Sequence, residues 1–507
     1  RRREGSCTGP ARARLDKYSE PTTKESMSER DLLRLIHEGM RPRTNRPARV
    51  VVVGAGMAGL VCAEKLVEAG HEVTMLEGRA RVGGRVETLR APFAPGLYGE
   101  AGAMRIPRSH HLTMAYVEKF GLETFPFTLT NPTCFVHLHG YRRRLSEVEA
   151  DPGLLGFDGL PTSNTVVGLW ETEISPFRQR IASGGEDAWS SIITEYDGFS
   201  TREFLERSGW SEGAIECFGL LGNLEALMNS AFLEVLREEV TDSYRDLMQI
   251  RGGMDRLPAA FLPRLGSRIR FGARMVAVHQ SESSATVQYR TRAGRFEAVG
   301  DFAVLTPPFS VLRHIEVNPA FSRPKQKAIR QLTYDASAKV FLQFRRRFWE
   351  EDDGILGGTS VTDLAIRNVF YPEHGHETGR GVMLASYTWS EDAQRWGSLP
   401  PEDRIDQALE NVAAIHPQAM AEFEVGASKM WHDDEFAGGA FAMFDPSQQT
   451  LLHQAIVEPE GRVYFAGEHT SLSHAWIQGA IESGLRIASE VHHRSLRSSN
   501  GGLGLGI

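Results

Sequence analysis

The stretch that most restricts this chain is Ala48-Arg-Val-Val-Val-Val-Gly54-Ala-Gly56-Met-Ala-Gly59. Four successive valines without a polar alternate predict a strand covered on both faces, as in a parallel sheet. The run passes straight into three glycines and a helical pattern reaching Ala69, and His71-Glu-Val-Thr-Met-Leu-Glu77 then reads as a second strand. The unit is βαβ, and its turn has the spacing of a dinucleotide fingerprint. In that reading Gly54 allows the tight turn, Gly56 admits backbone to a pyrophosphate, and Gly59 lets helix and strand pack closely. The helix N-terminus, with Ala58 in its first turn, offers free N–H groups and partial positive charge to phosphate. Glu77, at the end of the second strand, is placed to accept hydrogen bonds from ribose hydroxyls.

At 507 residues the chain exceeds one ordinary core, so two to four folding units are expected. The formal charge of −8 disfavours nucleic acid as a partner, because neutralising phosphate needs a basic excess. Cys7, Cys62, Cys134 and Cys217 are scattered and form no CxxC, so neither a metal knuckle nor a dithiol pair is expected. No apolar run reaches the roughly 18 residues of a membrane span. The opening Arg1-Arg2-Arg3 has no apolar segment behind it and reads as a trimmed or processed terminus, which leaves a cytoplasmic or a secreted location open.

Further along, Ser28 is expected to cap a helix over Glu29–His37, with Asp31 in its first turn. From Ser109 to about Glu239 the pattern is mostly helical, including Asp187–Tyr196 and Thr201–Arg237. Strand patterns follow over Ile269–Gln288, Arg295–Val299, Asp301–Leu305, Lys339–Phe344 and Gly381–Tyr387. A helix is predicted over Pro401–Ile415, a buried strand within Arg462–Glu468, and a helix from about Ala475 to His493.

Beyond Glu77 the chain continues Gly78-Arg79-Ala-Arg-Val-Gly83-Gly84-Arg85, a basic loop with paired glycines. That loop, following the first glycine turn, resembles the flavin amine oxidases, in which it runs along FAD. Near the other end, Tyr464-Phe-Ala-Gly467-Glu468-His-Thr470 is similar to the family's second FAD strand, and Gly479, Glu482, Ser483 and Gly484 to its closing helix. The resemblance implies FAD contacts from Gly54, Gly56, Ala58, Gly59, Glu77, Gly78, Arg79, Gly84, Arg85, Ala103, Met104, Arg105, Gly467, Glu468, Gly479, Glu482 and Ser483. Val276 is then expected beside the adenine. It also implies an α/β fold: a Rossmann-like FAD-binding domain assembled from residues 48–108, 240–330 and 445–493, a mixed-sheet substrate domain from 20–47 and 331–444, and a helical domain over 109–239. Residues 1–19 and 498–507 are expected to be loose.

Within the family, Glu100-Ala-Gly-Ala-Met-Arg105-Ile-Pro107 resembles the segment of L-amino acid oxidases that passes the flavin ring. A guanidinium pairs bidentately with a carboxylate and keeps its charge in an apolar cavity, so Arg105 separates amino acids from simple amines. Lys339 matches the family lysine that holds a water near the flavin, Tyr387 a second donor to the substrate carboxylate, and Trp476 an aromatic beside the substrate. Ala475 stands where glycine is usual, and its carbonyl is expected to accept from the substrate amino group. Trp389 and Phe441 fall where venom-type oxidases carry smaller aliphatics, which favours apolar or aromatic substrate side chains. No histidine, His279, His314 and His474 included, is assigned as a base. The expected activity is FAD-dependent oxidative deamination of L-amino acids with oxygen as acceptor. An amino-acid 2-monooxygenase forming an amide would use the same residues; an amine oxidase or dehydrogenase is a second alternative, which would leave Arg105 without that role. By the same resemblance, a homodimer or higher homo-oligomer is expected.

Overall fold

A computed structural model describes residues 27–160 and 165–500. The expected loose segment 1–19, Cys7 and residues 501–507 lie outside the described residues, and 498–500 close the C-terminal helix.

The valine run forms Arg49–Val53, the middle of a five-stranded parallel sheet. Glu72–Leu76 and then Ile269–Arg270 lie to one side, and Phe302–Leu305 and then Val463–Phe465 to the other. Both faces are covered, which explains the unbroken valines. Val50 and Val52 join an apolar cluster with Leu60 and Ile481, whereas Val51 and Val53 join one with Val278 and Phe309. Parallel pairing of Val304 with both Val52 and Tyr464 brings the two ends of the chain into one sheet. The Met57–Glu68 and Ile477–Asn500 helices press together on one face, so closely that a Cβ on Gly484 would lie 2.6 Å from the Ala58 carbonyl oxygen. The opposite face meets a four-stranded sheet, ordered Gly294–Gly300, Ala285–Thr291, Arg274–Gln280, Glu316–Asn318. The expected strand over Ile269–Gln288 is therefore three strands in two sheets, divided at Gly272, whose φ of +65° turns the chain.

A mixed seven-stranded sheet runs Phe423–Met430, Ser337–Phe344, Gly381–Trp389, Asn368–Phe370, Thr359–Thr362, Phe135–Leu138, Tyr141–Arg144. Its last two strands fall in the region expected to be helical. His139 and Gly140, both at positive φ (53° and 79°), make the two-residue turn that a hairpin favours. Thr124–Pro126 is a further short strand in that region, paired with Leu247–Ile250 in a separate sheet. The remainder is mainly helical, but Thr201–Arg237 is not continuous. Thr201–Arg207, Glu212–Leu221 and Phe232–Val240 are separate helices, with breaks at Gly209 (φ +84°) and Asn223 (φ +54°). Ser28 caps the Glu29–Glu38 helix as expected, accepting from the Asp31 amide at 3.2 Å. That helix buries Leu32 and Ile36 in the same cluster as Val50, not against residues 331–444 with which it was grouped. Its amphipathic pattern specifies a buried face and leaves the covering partner open. Among the described residues no helix is long and apolar enough to cross a membrane.

Candidate active site

A cavity of about 440 Å³ runs from the C-terminal edge of the parallel sheet to the face of the seven-stranded sheet. The edge of a parallel sheet where strands end is where such folds bind ligands. Gly54, Gly56, Ala58, Glu77, Gly78, Arg79, Gly84, Arg85, Ala103, Met104, Val276, Gly467 and Glu468 all line it. Gly56 bridges to Gly83, and a Cβ on Gly84 would sit 3.3 Å from the Gly56 Cα, so two glycine loops meet with only backbone facing the space.

Gly59, Gly479, Glu482 and Ser483 do not line the cavity, contrary to the contact expected of them. Gly59 acts in helix–strand packing, because a Cβ there would lie 2.1 Å from the Gly54 carbonyl oxygen. Gly479 is held as tightly against Ser471 and Ser473. The buried Ser483 hydroxyl accepts from the Gly467 amide at 2.9 Å, and so positions a residue that does line the cavity.

At the dinucleotide end, the Glu77 carboxylate accepts from the Ala55 amide and the Arg79 amide, both at 2.7 Å. Burial raises its pKa, while those two donors and the arginine charges hold the rise back. Arg79 pairs with Asp434 and lies 5.2 Å from the Phe436 ring centroid. Asp434 sits at about 2, because hydrogen bonds from Arg79 and Lys429 outweigh its burial. The Arg85 Nη1 donates to Glu468 Oε1 at 2.7 Å and to the Ala440 carbonyl at 2.9 Å, tying the paired-glycine loop to the turn that follows the last strand.

At the other end, Lys339 and Tyr387 are direct partners across an antiparallel pair, and Ser337 pairs with Trp389 two positions on. Period-two alternation puts all four on one face, and all four line the cavity. Lys339 is buried, and its Nζ donates to the carbonyls of Glu100 (2.9 Å) and Gly102 (2.7 Å) and meets the Met104 sulfur at 3.4 Å. Burial lowers its pKa to about 7, with the neighbouring Glu100 opposing and Arg105 adding to the fall. Lys339 thus clamps the segment that carries Arg105. The small residues there have a clear cause: a Cβ on Gly102 would lie 1.9 Å from the Arg85 carbonyl oxygen. The Trp431 indole fixes the segment again through the Ala101 carbonyl at 2.7 Å.

Arg105 lines the cavity with its guanidinium 5.4 Å from the Tyr244 ring and 5.7 Å from the Phe127 ring. Its Nη1 is buried with no hydrogen-bond partner. A buried charged donor left unmet is costly, and here it faces a cavity, where a polar or anionic group could satisfy it. Trp389, Phe441, Ala475 and Trp476 complete this end. Ala475 holds φ at +65°, the conformation for which glycine is favoured, and its amide donates to Glu468 at 3.2 Å.

Sequence reading missed Glu238, Tyr244 and Trp431, which also line the cavity. Glu238 belongs to the charged face of Phe232–Val240, whose pattern reads as solvated helix and carries no signal of a site. Trp431 lies two residues beyond Lys429, Lys339's other strand partner, a register that exists only once the strands are paired. Of the histidines, His314 lines the cavity, His279 lies 3.7 Å from Glu316, and His474 is bonded to Glu234 at 3.0 Å.

The donor set fits FAD: paired glycine loops for a pyrophosphate, a fixed carboxylate for a ribose, Arg85 beside them, and an elongated cavity ending at Lys339.

A family model described as flavin containing amine oxidoreductase matches residues 57–492. The Bacillus subtilis (strain 168) protein YobN is 40% identical over 476 residues, covering 92% of this chain and 99% of that protein. An L-amino-acid oxidase of Vipera ammodytes ammodytes is 34% identical over 476 residues, covering 92% and 96%. The fold matches the solved structure of a putrescine oxidase variant with a TM-score of 0.74 at 22% identity, over 89% of this chain and 100% of that one.

Proposed function

The chain belongs to the flavin-containing amine oxidoreductases and is an FAD-dependent oxidoreductase, and we propose that it deaminates L-amino acids oxidatively, favouring apolar and aromatic side chains. The observation that carries this reading is the unpartnered Nη1 of Arg105, buried beside Tyr387 and Lys339 in a wall of aromatic residues. FAD, when bound, supplies the two-electron acceptor for the substrate and passes the electrons to oxygen.

The chain's own part is recognition and orientation. Arg105 pairs with the α-carboxylate, and the Tyr387 hydroxyl donates a second bond to it. Together they leave the α-hydrogen facing the cofactor end of the cavity, and fixed orientation alone supplies a large share of such a rate. The Ala475 carbonyl accepts from the amino group, which reacts in its neutral form. Trp389, Trp476 and Phe441 exclude water and bury the substrate side chain. Lys339 acts by holding residues 100–104, and through them Arg105.

The test is product analysis of the aerobic reaction with L-phenylalanine. This reading predicts phenylpyruvate, ammonia and hydrogen peroxide in equal amounts. An amide with carbon dioxide would assign the chain to the monooxygenases instead.

A further inference from the structure

We propose that Glu238 is the counter-ion of Arg105 before substrate binds, and that it takes up one proton from solvent when a substrate carboxylate occupies Arg105. The inference rests on the assignment of Arg105 as carboxylate binder.

Glu238 lies on the Phe232–Val240 helix and faces the cavity. Its Oε2 accepts from the Tyr244 hydroxyl and its Oε1 from the Trp476 indole, both at 2.8 Å. One of these donors is the ring over which the Arg105 guanidinium lies, and the other is a wall of the substrate end. Each oxygen keeps a lone pair able to carry a proton. The remaining charged groups nearby are already engaged. Glu234, a turn earlier on the same helix, is paired with His474 at 3.0 Å and Arg237 at 3.3 Å. From the strands opposite come Lys339, bonded to two carbonyls, and Tyr387. His110, packed edge-on to Trp476, is held neutral by burial at about 3.

A second carboxylate brought to Arg105 would place two negative charges on one cation, and one of them must then neutralise. The arriving carboxylate has the direct guanidinium contact. Glu238 does not, and burial has already raised it to about 7 despite its two donors. Glu238 therefore gains the proton, and the net charge of the site is unchanged by binding.

The sign follows from proton linkage. Below the titration of Glu238 the carboxyl is already protonated and binding is strongest. Above it, each pH unit weakens binding about tenfold, because a proton must be drawn from solvent. Lys339 titrates in the same range and loses charge in the same direction, so a variant must separate the two.

The experiment is calorimetric titration of the holoenzyme with 3-phenylpropionate, a carboxylate lacking the reactive amine, in two buffers of different ionisation enthalpy. Wild type is expected to take up close to one proton at pH 8.5, with affinity about tenfold lower than at pH 7.5. E238Q should lose that uptake and keep only the shallower pH dependence that Lys339 contributes. Y244F, which removes a donor to the charged form, should move the onset of uptake to higher pH. Wild type binding without proton uptake, or E238Q retaining the wild-type uptake, would overturn the proposal. Undiminished binding by R105A would instead remove the assignment of Arg105, and the inference with it.

Discussion

Arg105 owes its meaning to its neighbours. Gly102 lets the backbone pass the Arg85 carbonyl, Lys339 clamps the carbonyls of Glu100 and Gly102, and the guanidinium is left facing the cavity with Nη1 unmet. R105A is expected to lower kcat/KM for L-phenylalanine about 10²- to 10³-fold, corresponding to about 3–4 kcal/mol, with FAD still bound. R105K should fall between, because an ammonium cannot reproduce the bidentate fork. Steady-state kinetics with the absorbance of bound flavin checks both. K339M removes the clamp and should raise KM, while changing the FAD content little. The place of Arg105 on the cavity wall was legible through the family resemblance of its segment, and a permanent cation among small and apolar residues agrees with it. Glu238 was not, since a glutamate on a charged helical face has the same signature whether it meets water or a cavity.

Between elements, the cofactor end depends on close approaches that one methyl group would block. G59V should push the Met57–Glu68 helix off its strand, where even a Cβ meets the Gly54 carbonyl oxygen at 2.1 Å. Overpacking of this kind costs about 1–3 kcal/mol or more, and the variant is expected to purify without FAD and to melt at lower temperature. E468Q tests the link between the paired-glycine loop and the turn after the last strand. It leaves Arg85 short of its carboxylate, and breaking a largely buried pair costs about 3–5 kcal/mol. The expected result is a weakening of FAD affinity of at least about 100-fold, read by flavin release on dilution. The βαβ unit was legible because its strand is apolar on both faces and its glycines are spaced for a tight turn at Gly54 and close helix–strand packing at Gly59. The hairpin of Phe135–Leu138 and Tyr141–Arg144 was hidden, since Tyr141-Arg-Arg-Arg144 has no apolar alternation and only the His139-Gly140 turn announces it.

Across the whole molecule, one cavity is walled by the parallel sheet from one side and the mixed sheet from the other, so cofactor binding and folding are linked. Apoprotein should therefore melt at a temperature that rises with added FAD. The gain is about 2.7 kcal/mol when FAD exceeds its Kd 100-fold. The assembly of the FAD region from distant segments was legible from two cofactor motifs at opposite ends of the chain. The packing of Glu29–Glu38 on the parallel-sheet core was not, because an amphipathic helix states that it has a buried face without naming what covers it. The measurement closest to the central claim is anaerobic reduction of the bound flavin by L-phenylalanine and by phenethylamine, which differ only in the carboxylate. Wild type is predicted to bleach rapidly with the amino acid and negligibly with the amine, and R105A to lose the response to the amino acid. Equal bleaching by both, or an unaltered R105A, would contradict a site built around a substrate carboxylate.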